Sequence, residues 1–397
     1  MKQQRRLSML LFGGMLSLGF YDAVRGALLP TIRLSLNLPY GTIGLVLFVA
    51  GLGYPLSVLF GGILADRFGS WRLAVLGYLL MAGASGFAPA VSGIGTFAIL
   101  ILLIHLGLGL LDVALNAIGG ALFITKTALM MSYLHLFFGL GASLSPGYAS
   151  LLLGSEFPWQ TVYLSMLLLV LPFMVMAWRA REPRGTGAPS PGPSAPGGWT
   201  EAFRAKDLWL FVLLLGLGVS FEIGVATWHS NFLVAVRGYS PAAGATYLSF
   251  FFAAFTVGRL TGGHIVEGSG YHNALVWAPI AAVVFFVLGI LVEGAPIITS
   301  LSGYFIGVFF PTVIAVVSRR YVLRRSSIIG IVMAGGTAMQ MLSTWVVALA
   351  HEGLGELLGF ASICLFGVAM AGLGFLFRRR LMVSGESPAT PPSEPPV

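Results

Sequence analysis

Four ionisable residues stand deep inside long apolar stretches of this chain: Asp22, Arg25, Asp112 and Glu222. A charge at the centre of a bilayer costs about 2.5–3.5 kcal/mol on insertion scales, so each implies a partner or a task. Asp22 and Arg25 lie three positions apart and share a helix face. They make either an ion pair that fixes packing, or a proton site beside a cation that hydrogen-bonds a solute. Asp112 has Leu108, Leu111 and Leu115 around it and no local base, with Asn116 one turn on. It is either a neutral acid hydrogen-bonded to Asn116 or an acid that takes up and releases a proton. Glu222 follows Asp22 by about 200 residues. Trp228, Asn231 and Gln340 offer an aromatic face and amides suited to a polar solute. His105 lies two turns before Asp112, nearer the outer end, and the lone His135 reads as a satisfied polar residue. Cys364 is the lone cysteine, which excludes a disulfide framework or a cysteine zinc site. No His/Cys/acid cluster, nucleophile–base pair or Walker lysine is present, so no enzyme chemistry, metal or cofactor is expected.

The elements that hold these residues are membrane spans. The 397 residues are 57% hydrophobic and only 9% charged, against roughly 25% charged in a soluble domain. Twelve apolar runs, 7–30, 42–64, 73–90, 95–123, 128–153, 161–180, 208–236, 242–263, 274–292, 297–317, 328–350 and 354–377, each reach the length that crosses about 30 Å of hydrocarbon. Without water in the bilayer core each run must be helical. The run starting after Lys2, Arg5 and Arg6 is too long for a signal core and is expected to stay as the first helix. With the N-terminus inside, the cytoplasmic segments collect Arg67, Arg72, Lys126, Arg179, Arg259, Arg319, Arg320 and Arg378–Arg380, while Glu156, Glu293, Glu352 and Glu356 fall outside. This is the positive-inside pattern, and it places both termini in the cytoplasm. The net charge of +8 gathers at run ends, so the lipid bilayer and not nucleic acid is the expected neighbour.

Between runs six and seven the segment REPRGTGAPSPGPSAPGG, 181–198, is a Pro/Gly/Ser linker. The chain then divides into 1–180 as one six-helix bundle, 181–206 as linker, 207–380 as a second bundle and 381–397 as a disordered tail. The halves repeat: GGILADRFG at 61–69 aligns with GGHIVEGSG at 262–270 under an offset of 201, and each joins the second and third run of its half. The fold class is thus all-α membrane protein, twelve helices in two pseudo-symmetric bundles with a midplane site.

GGILADRFGSWR at 61–72 resembles the signature loop of the major facilitator superfamily, G-x-L-x-D-R-x-G-x-R with one extra residue, and GRLTGG at 258–263 resembles its second-half counterpart. GLGLLDVALNAIGG at 107–120, YLHLFFGLGASLSP at 133–146, GVSFEIGVATW at 218–228 and GVFFPTVIA at 307–315 are similar to helices 4, 5, 7 and 10 of the fucose–proton symporter group. The resemblance implies alternating access, with helices 1, 4, 7 and 10 lining the cavity. It implies proton coupling at Asp22, Asp112 and Glu222; beside these acids, Arg25, Asn116, Trp228, Asn231 and Gln340 are the expected solute contacts. It also implies a cytoplasmic gate at Asp66, Arg67 and Arg72. A monomeric sugar–proton symporter of the inner, or plasma, membrane is expected. The LSPG of helix 5 is similar to a motif of drug–proton antiporters, so export of amphipathic compounds is the alternative.

Overall fold

The computed structural model describes residues 2–122, 127–179, 206–320 and 325–383. Among these, twelve helices are long and apolar enough to span a membrane. They are α1 (Leu7–Ser35), α2 (Tyr40–Ala65), α3 (Ser70–Ala90), α4 (Ile94–Gly119), α5 (Tyr133–Gly154), α6 (Trp159–Arg179), α7 (Asp207–Ala235), α8 (Pro241–Ser269), α9 (Tyr271–Leu291), α10 (Ile297–Val317), α11 (Ile331–Leu354) and α12 (Glu356–Arg379). Each matches one predicted run. The linker and tail proposed at 181–206 and 381–397 fall almost wholly outside the described residues.

Packing repeats with the sequence. In the first half α1 packs on α5, α3 on α4, α2 on α4 and α3 on α6. In the second half the equivalents six helices later do the same: α7 on α11, α9 on α10, α8 on α10 and α9 on α12. The repeat reaches the backbone. Gly69 opens α3 with φ 90° and ψ 142°, and Gly270 opens α9 with φ 87° and ψ 138°, at the offset of 201 read from the sequence. This left-handed conformation suits glycine, which lacks a Cβ.

Small residues set the helix spacing. A Cβ on Gly141 of α5 would collide with the Leu16 carbonyl of α1, and one on Gly258 of α8 with the Tyr304 carbonyl of α10. Backbones that approach so closely gain dispersion contacts, the main source of helix adhesion where lipid replaces water. Leu59, Ile63, Leu151, Leu168 and Leu365 are exposed apolar residues, as a surface facing hydrocarbon requires.

The halves join through α5 on α8, α2 on α11 and α1 on α7. Direct links cluster at the end of the bundle that carries the short α1–α2, α7–α8 and α11–α12 connections. There Tyr40 Oη donates to Glu356 Oε1 at 2.8 Å, the Gly41 amide donates to Glu352 Oε2 at 2.6 Å, and Arg33 stands 3.7 Å from Glu356. Ser150 and Thr246 hydrogen-bond across α5 and α8 at 2.8 Å. At the opposite end, no hydrogen bond or ion pair between described residues joins the halves.

Candidate functional site

The space between the halves is a cavity of about 410 Å³, large enough for a small solute. Asp22 and Arg25 reach it from α1, Asp112 from α4, Glu222 from α7 and Gln340 from α11. All four of the expected helices contribute, Phe310 being the residue from α10. Helices α2, α5, α8 and α11 line it as well, through Tyr54, His135, Arg259 and Gln340.

The local geometry differs from expectation at Arg25. Asp22 and Arg25 do not come within ion-pair distance. Instead Arg25 Nη1 donates to His105 Nε2 of α4 at 2.8 Å. His105 Nδ1 sits 2.8 Å from the Ile101 carbonyl. A carbonyl only accepts, so Nδ1 carries the hydrogen and Nε2 is left as the acceptor that Arg25 needs. His105 is thereby a neutral support that aims the guanidinium.

Asp112 is held on both oxygens. Tyr54 Oη donates to Oδ2 at 2.8 Å and Asn116 Nδ2 donates to Oδ1 at 2.8 Å. Asn116 therefore acts on Asp112, while the cavity wall is formed by other groups. Asp22 and Glu222 accept no hydrogen bond from a described residue. The charged groups nevertheless sense one another around the cavity: Asp22 with Arg25, Asp112 and Glu222; Glu222 with Arg259; His135 with Asp112 and Arg259.

Three further residues fall elsewhere than expected. Arg259, assigned above to a cytoplasmic segment, lies inside α8, on the cavity, with its guanidinium 4.3 Å from the centre of the Phe255 ring. Trp228 and Asn231 lie nearly two turns and more beyond Glu222 along α7, at the linked end. Trp228 is fully buried and stacks on His351 at 4.4 Å, and His351 stacks on Tyr40 at 5.1 Å. Asn231 Nδ2 donates to Tyr40 Oη at 3.0 Å. Both residues therefore seal the closed end instead of lining the cavity. At the unlinked end Arg67 and Arg72 are exposed; Arg72 Nη1 donates only to the Phe68 carbonyl of its own half at 3.3 Å. The Asp66 side chain lies outside the described part of the structure.

A family model for the major facilitator superfamily matches residues 10–321. The chain belongs to the major facilitator superfamily. Its members are transporters, so the twelve spans and the inter-half cavity belong to a multi-pass membrane carrier. An uncharacterized MFS-type transporter of Yersinia pestis is 26% identical over 281 residues, covering 70% of each chain. A mutant of the nucleoside transporter NupG superposes with a TM-score of 0.76 at 16% identity, covering 96% of this chain and 100% of that one. A D-xylose–proton symporter superposes at 0.72 and 14% identity, covering 93% and 97%. These superpositions establish that the facilitator shares their fold.

Proposed function

We propose that this facilitator is a proton-coupled symporter of a sugar or similar small polar solute, working by alternating access across the cell's inner, or plasma, membrane. The convergence of Asp22, Asp112 and Glu222 from three helices on one inter-half cavity carries this reading. Three acids with two arginines in a low-dielectric space form a site whose charge changes as protons bind, and rocking of the halves is easier when fewer charges are uncompensated. Asp22 and Glu222, which accept no hydrogen bond from described residues, are the exchangeable proton sites; Asp112, held by Tyr54 and Asn116, couples them. Arg25 and Gln340 contact the solute. Proteins of like fold that carry a nucleoside or D-xylose support the size class.

The positive-inside pattern sets the linked end outside and opens the cavity to the cytoplasm. Asp66, Arg67 and Arg72 then latch the cytoplasmic end in the opposite state, by charge contacts with the second half. The 181–206 linker hinges the bundles 1–180 and 207–380. Purified protein in liposomes, offered labelled pentoses, hexoses and nucleosides, tests the reading. Accumulation of one of them only under an inward proton gradient supports it; equilibration regardless of gradient contradicts the coupling. The aromatic wall of Phe138, Phe252, Phe255 and Phe310 favours the second reading, proton-driven export of amphipathic compounds. Protection of cells against toxic amphiphiles, with no sugar or nucleoside uptake, would select it.

A further inference from the structure

The two arginines of the cavity are unfinished. Arg25 comes from the first half and Arg259 from the second, and both line the same space. Three carboxylates also line it, yet among the described residues none lies within ion-pair distance of either guanidinium. Arg25 spends one nitrogen on the neutral His105 and leaves its buried Nε without a partner. Arg259 lies over the Phe255 ring, 5.6 Å from the Phe310 ring centre, and its buried Nε is likewise unpartnered. A desolvated guanidinium without a carboxylate in direct contact is costly, and its planar fork matches a carboxylate with two parallel hydrogen bonds.

We infer that the solute is a small organic anion whose carboxylate is gripped between Arg25 and Arg259. This deepens the proton-coupled reading and rests on it. Each oxygen of Asp112 already accepts a hydrogen bond, from Tyr54 or Asn116, and neither arginine lies within ion-pair distance of it. When Asp22 and Glu222 hold protons, Asp112 is the one ionised carboxyl lining the cavity with the two guanidiniums, His135 lies near both Asp112 and Arg259, and the cavity has an excess of positive charge. Anion binding and proton binding then favour each other, and linkage makes the effect reciprocal. The anion also bridges the halves, which gives the loaded carrier a reason to close over it. Thr337, Gln340 and Thr344 can bond hydroxyls on the body of the anion, while Phe252 and Phe310 cover an apolar or ring face. With Asp22 and Glu222 protonated, a cationic solute would instead be repelled by this excess of positive charge.

Pairs of acids and their uncharged counterparts test this: glucuronate with glucose, lactate with lactamide, benzoate with benzamide, together with phenethylammonium as a cation. Binding to the full-length protein in nanodiscs is read by titration calorimetry and by the shift in melting temperature, at acidic and alkaline pH. At least one acid is expected to bind where its neutral counterpart does not. Arg25→Gln and Arg259→Gln each weaken that binding roughly ten- to hundredfold, the loss expected for a charged hydrogen-bond pair. Arg259→Lys, which keeps the charge without the fork, restores part of it, and an unchanged melting temperature without ligand shows that the variants fold. Binding of a neutral member equal to its acid, binding only of the cation, or no binding by any acid would overturn the inference. Acid binding indifferent to pH and to Asp22→Asn with Glu222→Gln would leave the anion site standing and refute the proton coupling.

Discussion

At the level of single residues, the site depends on supports as much as on charges. His105 faces Arg25 only because its Nδ1 hydrogen is committed to Ile101. His105→Phe removes the acceptor and should reduce transport by more than tenfold, while His105→Gln, which keeps an acceptor, should retain a substantial fraction; initial uptake rates in liposomes decide this. Tyr54→Phe deletes a donor to Asp112 and should move the midpoint of the transport pH profile, whereas an unchanged profile would mean Asp112 takes no part in coupling. Asp22, Asp112 and Glu222 are legible in the sequence because an acid inside an apolar run stands out on cost alone. Tyr54 is not, since a tyrosine is at home in such a run. Arg259 is hidden by its neighbours: three residues before a glycine pair at a run end, it reads as a loop charge. Trp228 and Asn231 read as cavity residues because a run of twenty apolar residues fixes neither the depth nor the rotation of its helix.

Among the helices, the apolar runs reveal all twelve, and the glycine repeat foretells that α3 and α9 open alike. Which glycines serve packing within a half and which serve the moving interface is not legible, because both look the same in a chain with 53 of them. Gly141 packs against Leu16 inside the first half, and Gly26 packs against Ala226 between the halves. The two positions should respond differently. Gly141→Leu forces α1 and α5 apart in every conformation and should lower the melting temperature markedly. Gly26→Leu is strained only while the linked end is closed, so it should leave stability nearly intact and shift the population toward the opposite state. Labelling of Ser230→Cys, buried between the halves against the Ala27 carbonyl, in a Cys364→Ser background, reads this shift: faster labelling in Gly26→Leu than in the parent is expected, and equal rates would contradict a moving interface at this end.

In the molecule as a whole, a pair of equivalent bundles is joined at one end around a charged cavity. Tyr40, Asn231, Glu352, Glu356 and Arg33 hold that end with hydrogen bonds and one weak ion pair. Such links are worth about 0.5–1.5 kcal/mol each, or up to about 3 where a charge takes part, enough to bias the closed state without locking it. Tyr40→Phe combined with Glu356→Gln should therefore broaden the distance distribution between spin labels placed across this end. In the proposed cycle, protons travel with the solute through the carboxyls of the cavity. The external pH of a weakly buffered suspension of proteoliposomes, followed as solute is added, reads that coupling without an intermediate step. Alkalinisation in step with solute entry is expected, and none in the variant carrying Asp22→Asn, Asp112→Asn and Glu222→Gln, although that variant still exchanges solute. Solute entry with no pH change, or the same change in the variant, would rule the cycle out.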